Sequence, residues 1–180
     1  MKTKTFSTRT LCYVGIFTAI IAACAQIVIP QPGGVPFTLQ AWAVALGGLV
    51  LGPKNGALAA LVYVLLGAAG APVFAAFTGG LGVIMRPTGG FILSFPIMAL
   101  LAGLVAQKKL PWQWLGLAAG SLVNWTAGLL WFNGVTGLGL EVSFGYAVAP
   151  FILVGVVRTA VLPLISRSLK AALRKAQVPI

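Results

Sequence analysis

Across 180 residues the chain is 59% hydrophobic and 7% charged, with twelve Lys and Arg against a single acid and no His. A soluble domain carries roughly 25% charged residues, so this composition excludes that class and marks an integral membrane protein. One acid and no imidazole also leave no paired carboxylates, no acid-base histidine and no carboxylate or imidazole metal site, so an enzyme is not expected, nor is any cofactor or metal.

Ten of the twelve cations fall at alternate gaps between six apolar stretches. Lys2, Lys4 and Arg9 precede the first, Lys54 separates the second from the third, Lys108 and Lys109 separate the fourth from the fifth, and Arg167, Lys170, Arg174 and Lys175 follow the sixth. Positive charge concentrates on the cytoplasmic side of membrane spans, so both termini and these connections are expected inside. The net charge of +11 therefore faces anionic lipid headgroups, and no nucleic-acid partner is implied.

In chain order the expected spans are Thr10 to Ile29, Thr38 to Leu51, Asn55 to Ala69, Gly89 to Gln107, Trp112 to Phe132, and Phe144 or Pro150 to Leu169. Together they make one six-helix membrane domain over residues 1–180 of plasma-membrane, multi-pass type. No cleavable signal is expected, because the first stretch lacks a small-residue cleavage pattern and further spans follow it. Cys12 and Cys24 both fall in that stretch and read as core fillers. The second and third spans, at fourteen and fifteen residues, fall short of the ~20 that a perpendicular helix needs. Their ends are therefore expected within the bilayer, beside irregular backbone that is tolerated only in a protein-lined cavity. The outer connections Pro30 to Phe37 and Ala71 to Thr88 are apolar and rich in Gly and Pro. Such segments suit a lid folded over a site better than solvated loops.

No apolar span carries an acid or His, which argues against a proton relay, and there is no GxxxxGK[ST] phosphate loop. A chain of this kind that moves a solute uphill needs energy from another subunit. Two cations stand outside the cytoplasmic pattern. Arg158 lies inside the last apolar stretch, where a cation costs at least ~2.5 kcal/mol on insertion scales unless it has a partner or a polar cavity. It either snorkels towards the inner face or meets an anionic ligand, since no intramembrane acid exists to pair with it. Arg86 sits at the end of the second outer connection, either at the mouth of a site or facing headgroups.

The strings PGGVPFTLQ (Pro32 to Gln40), GLVLGPKNGALAALVYVLLGAAGAPVF (Gly48 to Phe74), GGLGV (Gly79 to Val83) and RPTGGFILSFP (Arg86 to Pro96) resemble the BioY family, the biotin-specific S component of energy-coupling factor (ECF) transporters. The resemblance runs from the first helix to the last. It implies an all-α S-component fold that captures biotin outside the cell and works with a transmembrane T component and two ATPase subunits. A self-sufficient biotin carrier, or a structural membrane subunit without ligand, fits the same hydropathy.

Biotin presents a carboxylate, an apolar chain and a ureido ring that both donates and accepts hydrogen bonds, so a dry pocket for it needs a cation, apolar walls and a few amides or hydroxyls. The substrate-site candidates are Arg158, Gln40, Arg86, Asn124, Tyr63, Phe74, Gly80 and Thr88. Buried amides such as Gln40 and Asn124 find their partners in a neighbouring helix as readily as in a ligand. The five tryptophans, Trp42 and Trp125 among them, suit interface anchors, and Gly33, Gly34, Gly79, Gly80, Gly82, Gly89 and Gly90 suit either close backbone approach to ligand or helix packing. The family pattern carries a Lys after PF with an Asp nearby, whereas PFILVGVVR has Arg158 and no acid; it also shows Gly where Arg86 stands. Gly15, Ala19 and Ala23 recur every four residues and form one small-residue stripe, either internal packing or a docking face. The resemblance favours docking on a T component, through an AxxxA stripe matched by AIIAA (Ala19 to Ala23).

Overall fold

The computed structural model describes residues 7–31 and 33–175. Lys2, Lys4 and Pro32 lie outside the described residues. The first helix, α1 (Thr8–Ala25), buries Val14, Phe17, Thr18, Ile21 and Ala25, a set spaced to fall along one face. Thr18 fixes that face against its neighbour: its Oγ1 lies 2.8 Å from the Val14 carbonyl of its own helix and 3.0 Å from the Ala59 carbonyl. The helix stops earlier than expected. Val28–Ile29 form a short strand, β1, paired antiparallel with β2 (Phe37–Thr38), Val28 facing Thr38 and Ile29 facing Phe37. Cys12 is exposed rather than packed in the core.

The helical segment α2 (Gln40–Ala68) is bent back on itself at Gly52, whose φ of 81° and ψ of 179° break the helical path just before Pro53. Glycine tolerates that positive φ and proline cannot continue the hydrogen-bond ladder, so the Gly-Pro pair sets the turn. Two contacts show that the arms run antiparallel. A Cβ on Gly56 would sit 2.6 Å from the Gly48 Cα, so the arms touch backbone to backbone. At the far end Tyr63 donates to Gln40 Oε1 at 2.9 Å across 23 positions, which a straight helix would hold ~34 Å apart. The two arms, residues 40–51 and 53–68, correspond to the short second and third spans expected from sequence.

Beyond the second arm, the chain passes through a 3-10 turn (Ala75–Phe77) and the short α3 (Leu81–Ile84). It then enters α4 (Gly89–Leu104), which packs on both arms of α2. Small residues allow the close crossing: a Cβ on Gly48 would collide with the Ala99 carbonyl, and one on Gly103 with the Pro53 backbone. Next, α5 (Leu110–Thr136) ends at Gly137 in the left-handed region, whose N–H bonds the Asn133 carbonyl at 2.8 Å. Two helices follow, the eight-residue α6 (Leu140–Ala147), with Glu141 exposed in its first turn, and α7 (Ala149–Lys175), so the expected last span fits its Pro150 start and not its Phe144 start.

Helices α1, α2, α5 and α7 are long and apolar enough to cross a membrane, and α4 is a shorter apolar helix. One end of the bundle gathers the Gly52-Pro53 turn, the 105–109 connection and the end of α7, where Lys170 Nζ donates to the Ala106 carbonyl at 3.2 Å. The shared core includes Ile21, Leu49, Tyr63, Phe74, Met98 and Leu162, drawn from α1, both arms of α2, the loop that follows, α4 and α7.

Gly56→Ala should lower the apparent melting temperature in detergent, because the added methyl meets backbone that cannot yield; overpacking of this kind costs about 1–3 kcal/mol. Gly15→Ala, whose added Cβ meets nothing within 4 Å, is the control and should leave the melt unchanged.

Candidate functional site

At the opposite end from the Lys170 contact lies a cavity of about 330 Å³. Its walls come from the β1–β2 hairpin, the start of α2, the loop 74–78, the start of α4, and the facing turns of α5 and α7. Phe91, Phe95, Trp125 and Phe151 give it aromatic walls. Two glycines make room for these rings: a Cβ on Gly128 would strike Phe91, and a Cβ on Gly155 would strike Trp125.

Arg158, on α7, is 4% exposed and lines this cavity. Among the described residues its only hydrogen bond is from Nη2 to Ser121 Oγ, at 2.7 Å. Ser121 in turn donates to the Leu117 carbonyl at 2.8 Å, so the hydroxyl is oriented to accept from the guanidinium. The chain's sole acid, Glu141, is exposed on α6 and makes no ion pair with it. A full positive charge thus stands at the wall of an apolar cavity with one neutral partner.

The two amides are each half committed. Gln40 gives its Oε1 to the Tyr63 hydroxyl, which leaves its Nε2 without a partner among the described residues. Asn124 does the reverse: Nδ2 donates to the Phe91 carbonyl at 3.0 Å and to Ser94 Oγ at 2.8 Å, leaving Oδ1 without a partner among the described residues. Both side chains are buried and line the cavity. They therefore offer it one N–H donor group and one carbonyl acceptor, with the orientation of each amide fixed by its protein-side bonds.

Of the other expected site residues, Phe74, Thr88 and Arg86 line the cavity. Arg86 is an exposed residue among them, and its carbonyl accepts from Trp131 Nε1 at 3.1 Å. Tyr63 does not line it. It stands one layer behind, bonded to Gln40 and edge-on to Phe74 at 5.5 Å between ring centres. Gly80 is also off the wall; with a φ of 95°, it caps α3, and its N–H bonds the Gly67 carbonyl at 2.6 Å, which shapes the loop. Gly15, Ala19 and Ala23 are all exposed on α1, away from its buried face.

Trp42 and Trp125 face the cavity and are not interface anchors. The Trp42 Nε1 is buried with no acceptor among the described residues. Phe91, Phe95 and Phe151 on the wall, and Ser94 and Ser121 behind Asn124 and Arg158, are site residues not among those expected from the sequence. For Ser121 a signal exists, since Ser121, Asn124, Trp125 and Gly128 follow the spacing of one helix face.

A family model described as the BioY family matches residues 1–175. The chain belongs to the BioY family. It is 41% identical over 157 residues to the probable biotin transporter BioY of Pyrococcus horikoshii, covering 87% of this chain and 93% of that one. It is 46% identical over 143 residues to the biotin transporter BioY of Thermotoga maritima, covering 79% and 75% of the two chains. In fold it is similar to the crystal structure of the S-component for biotin from an ECF-type ABC transporter, with a TM-score of 0.82 and 22% identity over 93% of this chain and 95% of that one. With its apolar helices, this BioY chain is a multi-pass membrane protein.

Tyr63→Phe tests the fixed amide. Losing one buried hydrogen bond and leaving Gln40 Oε1 unpaired should destabilise the protein by about 1–3 kcal/mol, read as a lower melting temperature in detergent. A ring-preserving change with no effect would mean that the bond does not order Gln40.

Proposed function

We propose that this chain is the biotin-capture subunit, or S component, of an ECF-type ATP-driven importer. The observation that carries the reading is Arg158: a buried guanidinium on a cavity wall, unpaired by any acid and held in place by one hydroxyl. A ligand carboxylate would neutralise it with a bidentate pair, which the planar fork suits. Aromatic walls suit the apolar chain and fused rings of biotin. Gln40 Nε2 and Asn124 Oδ1 supply a donor and an acceptor of the kind a ureido group requires. Arg86 lies at the rim as a second cation for an approaching anion. The names of the relatives support the same ligand.

Six membrane-spanning segments follow from counting the two arms of α2 separately beside α1, α4, α5 and α7. Lys54, Lys108, Lys109, Lys170 and Arg174 then share the cytoplasmic side together with both termini, and the cavity opens outside. The chain has no phosphate loop, so a T component and two ATPases would supply the energy. The exposed Gly15, Ala19 and Ala23 stripe on α1 is the surface offered to the T component, because small residues let two helices approach closely.

Isothermal titration with biotin tests the site. Arg158→Gln should weaken binding by about ten- to a hundred-fold, the equivalent of one charge-assisted hydrogen bond, and Arg158→Lys should lose less. Wild type should prefer biotin over biotin amide and Arg158→Gln should lose that preference; a preference that survives the substitution rejects the contact. Docking is tested separately. Ala19→Trp should block co-purification with a T component and leave biotin affinity nearly unchanged, whereas loss of binding with the complex intact would make the stripe internal.

A further inference from the structure

The loop that closes the cavity after the second arm of α2 is held by one side chain at the end of α1. Gln26, the half-buried C-cap of that helix, donates from Nε2 to the Ala22 carbonyl of its own helix at 2.9 Å. The same nitrogen lies 3.2 Å from the Phe74 carbonyl and 3.4 Å from that of Val73. Its Oε1 accepts from the Phe77 backbone N–H at 2.8 Å. One amide therefore grips both strands of a tight loop whose ends are bridged by Phe74 N–H to the Thr78 carbonyl, at 2.9 Å.

The grip opposes a backbone under strain. Ala76 (φ 54°, ψ 40°) and Phe77 (φ 55°) both occupy the left-handed region, at a cost of roughly 1–2 kcal/mol for each residue that carries a Cβ. Phe77 is 72% exposed, so no burial of its ring holds it there. Phe74, Ala75, Ala76 and Thr78 from the same loop line the cavity. A fully buried Phe74 anchors the loop's root, and Gln26 holds its tip.

We infer that Gln26 is a latch that keeps loop 73–78 closed over the cavity and sets the rate at which ligand enters and leaves. The inference rests on the biotin-binding reading for its ligand, although the latch itself is defined by the loop. Chemistry restricts the residue: the position needs donor and acceptor at once, so a carboxylate would face two or three carbonyl oxygens and an alanine would supply neither half. With the latch gone, Ala76 and Phe77 relax to negative φ and the loop swings from the mouth. A latch acting equally on the empty and loaded protein changes both rates and leaves their ratio alone.

Stopped-flow binding of biotin to the full chain in detergent, with hydrogen exchange on the ligand-free protein, provides the test. Gln26→Ala and Gln26→Glu should each raise association and dissociation rates together by about ten-fold, the equivalent of one to two lost hydrogen bonds. The dissociation constant should change less than about three-fold, and the Phe74 and Phe77 amides should exchange faster without ligand. Phe77→Gly should act in the opposite direction, slowing both rates, because glycine accepts the left-handed conformation without strain. A weaker dissociation constant with an unchanged association rate, or rates and exchange at wild-type values, overturns the latch. If the Gln26 variants fail to fold, Phe77→Gly decides alone: slower exchange at Phe74 supports the latch and unchanged exchange rejects it. Failure of wild type to bind biotin would count against the ligand reading, while the exchange measurements would still decide the latch.

Discussion

Glu141, the one acid against twelve cations, is exposed on α6, so the cation that this chain buries has no acid to pair with, and that constraint governs the cavity. Arg158 lines a cavity whose walls include Phe91, Phe95, Trp125 and Phe151, so its charge has few places to go. Ser121 fixes one nitrogen and does not neutralise it. The guanidinium is tolerable because it borders a cavity that an anion or water can enter. Without that opening, the last helix would carry an isolated ion in an apolar medium.

The second requirement is that polar groups distant in sequence meet at the cavity, and the Gly52-Pro53 reversal meets it. Folding α2 into two arms brings Gln40 beside Tyr63 and leaves α4 to cross both arms through Gly48 and Gly103. Backbone contact at these crossings replaces the hydrophobic drive that is missing between helices in lipid, where packing and interhelical hydrogen bonds hold the bundle. The Tyr63 hydroxyl and the Thr18 to Ala59 contact are two such bonds, one at each level of the second arm.

Much of this was legible in the residues. Lys54 between two short apolar stretches separates the arms of α2; the Gly- and Pro-rich outer connections point to segments lying over a cavity; and Arg158, with no acid to pair with it, is left between the inner face and an anionic ligand. What was not legible has one physical origin. Helices that are apolar on every side do not reveal which face meets lipid and which meets protein, so Trp42 and Trp125 read as interface anchors although they face the cavity. Tyr63 is similar: its hydroxyl signals a buried partner, but only the bend of α2 shows that the partner is Gln40 and not a ligand. Gly80 and Gln26 act on loop backbone, where position in sequence says little about which carbonyl lies within reach. The two-residue strands β1 and β2 are too short to leave any alternation to read.

Gln40, Asn124 and Arg158 share a rule that makes the site selective before anything binds. Each has one half satisfied by the protein and the other left open: Gln40 gives up its oxygen to Tyr63, Asn124 its nitrogen to Phe91 and Ser94, and Arg158 one Nη to Ser121. The committed half removes the freedom of the open half to turn, so donor and acceptor positions are set without a ligand and little ordering remains to be done on binding. A solute that lacks an acceptor for Gln40, a donor for Asn124 or an anion for Arg158 would leave a buried polar group unpaired, a penalty of about 1–3 kcal/mol for each neutral group and more for the charge. Discrimination therefore comes from what a wrong ligand fails to satisfy. That mechanism suits a cyclic urea bearing a carboxylate and disfavours apolar compounds that would otherwise fill the same aromatic space.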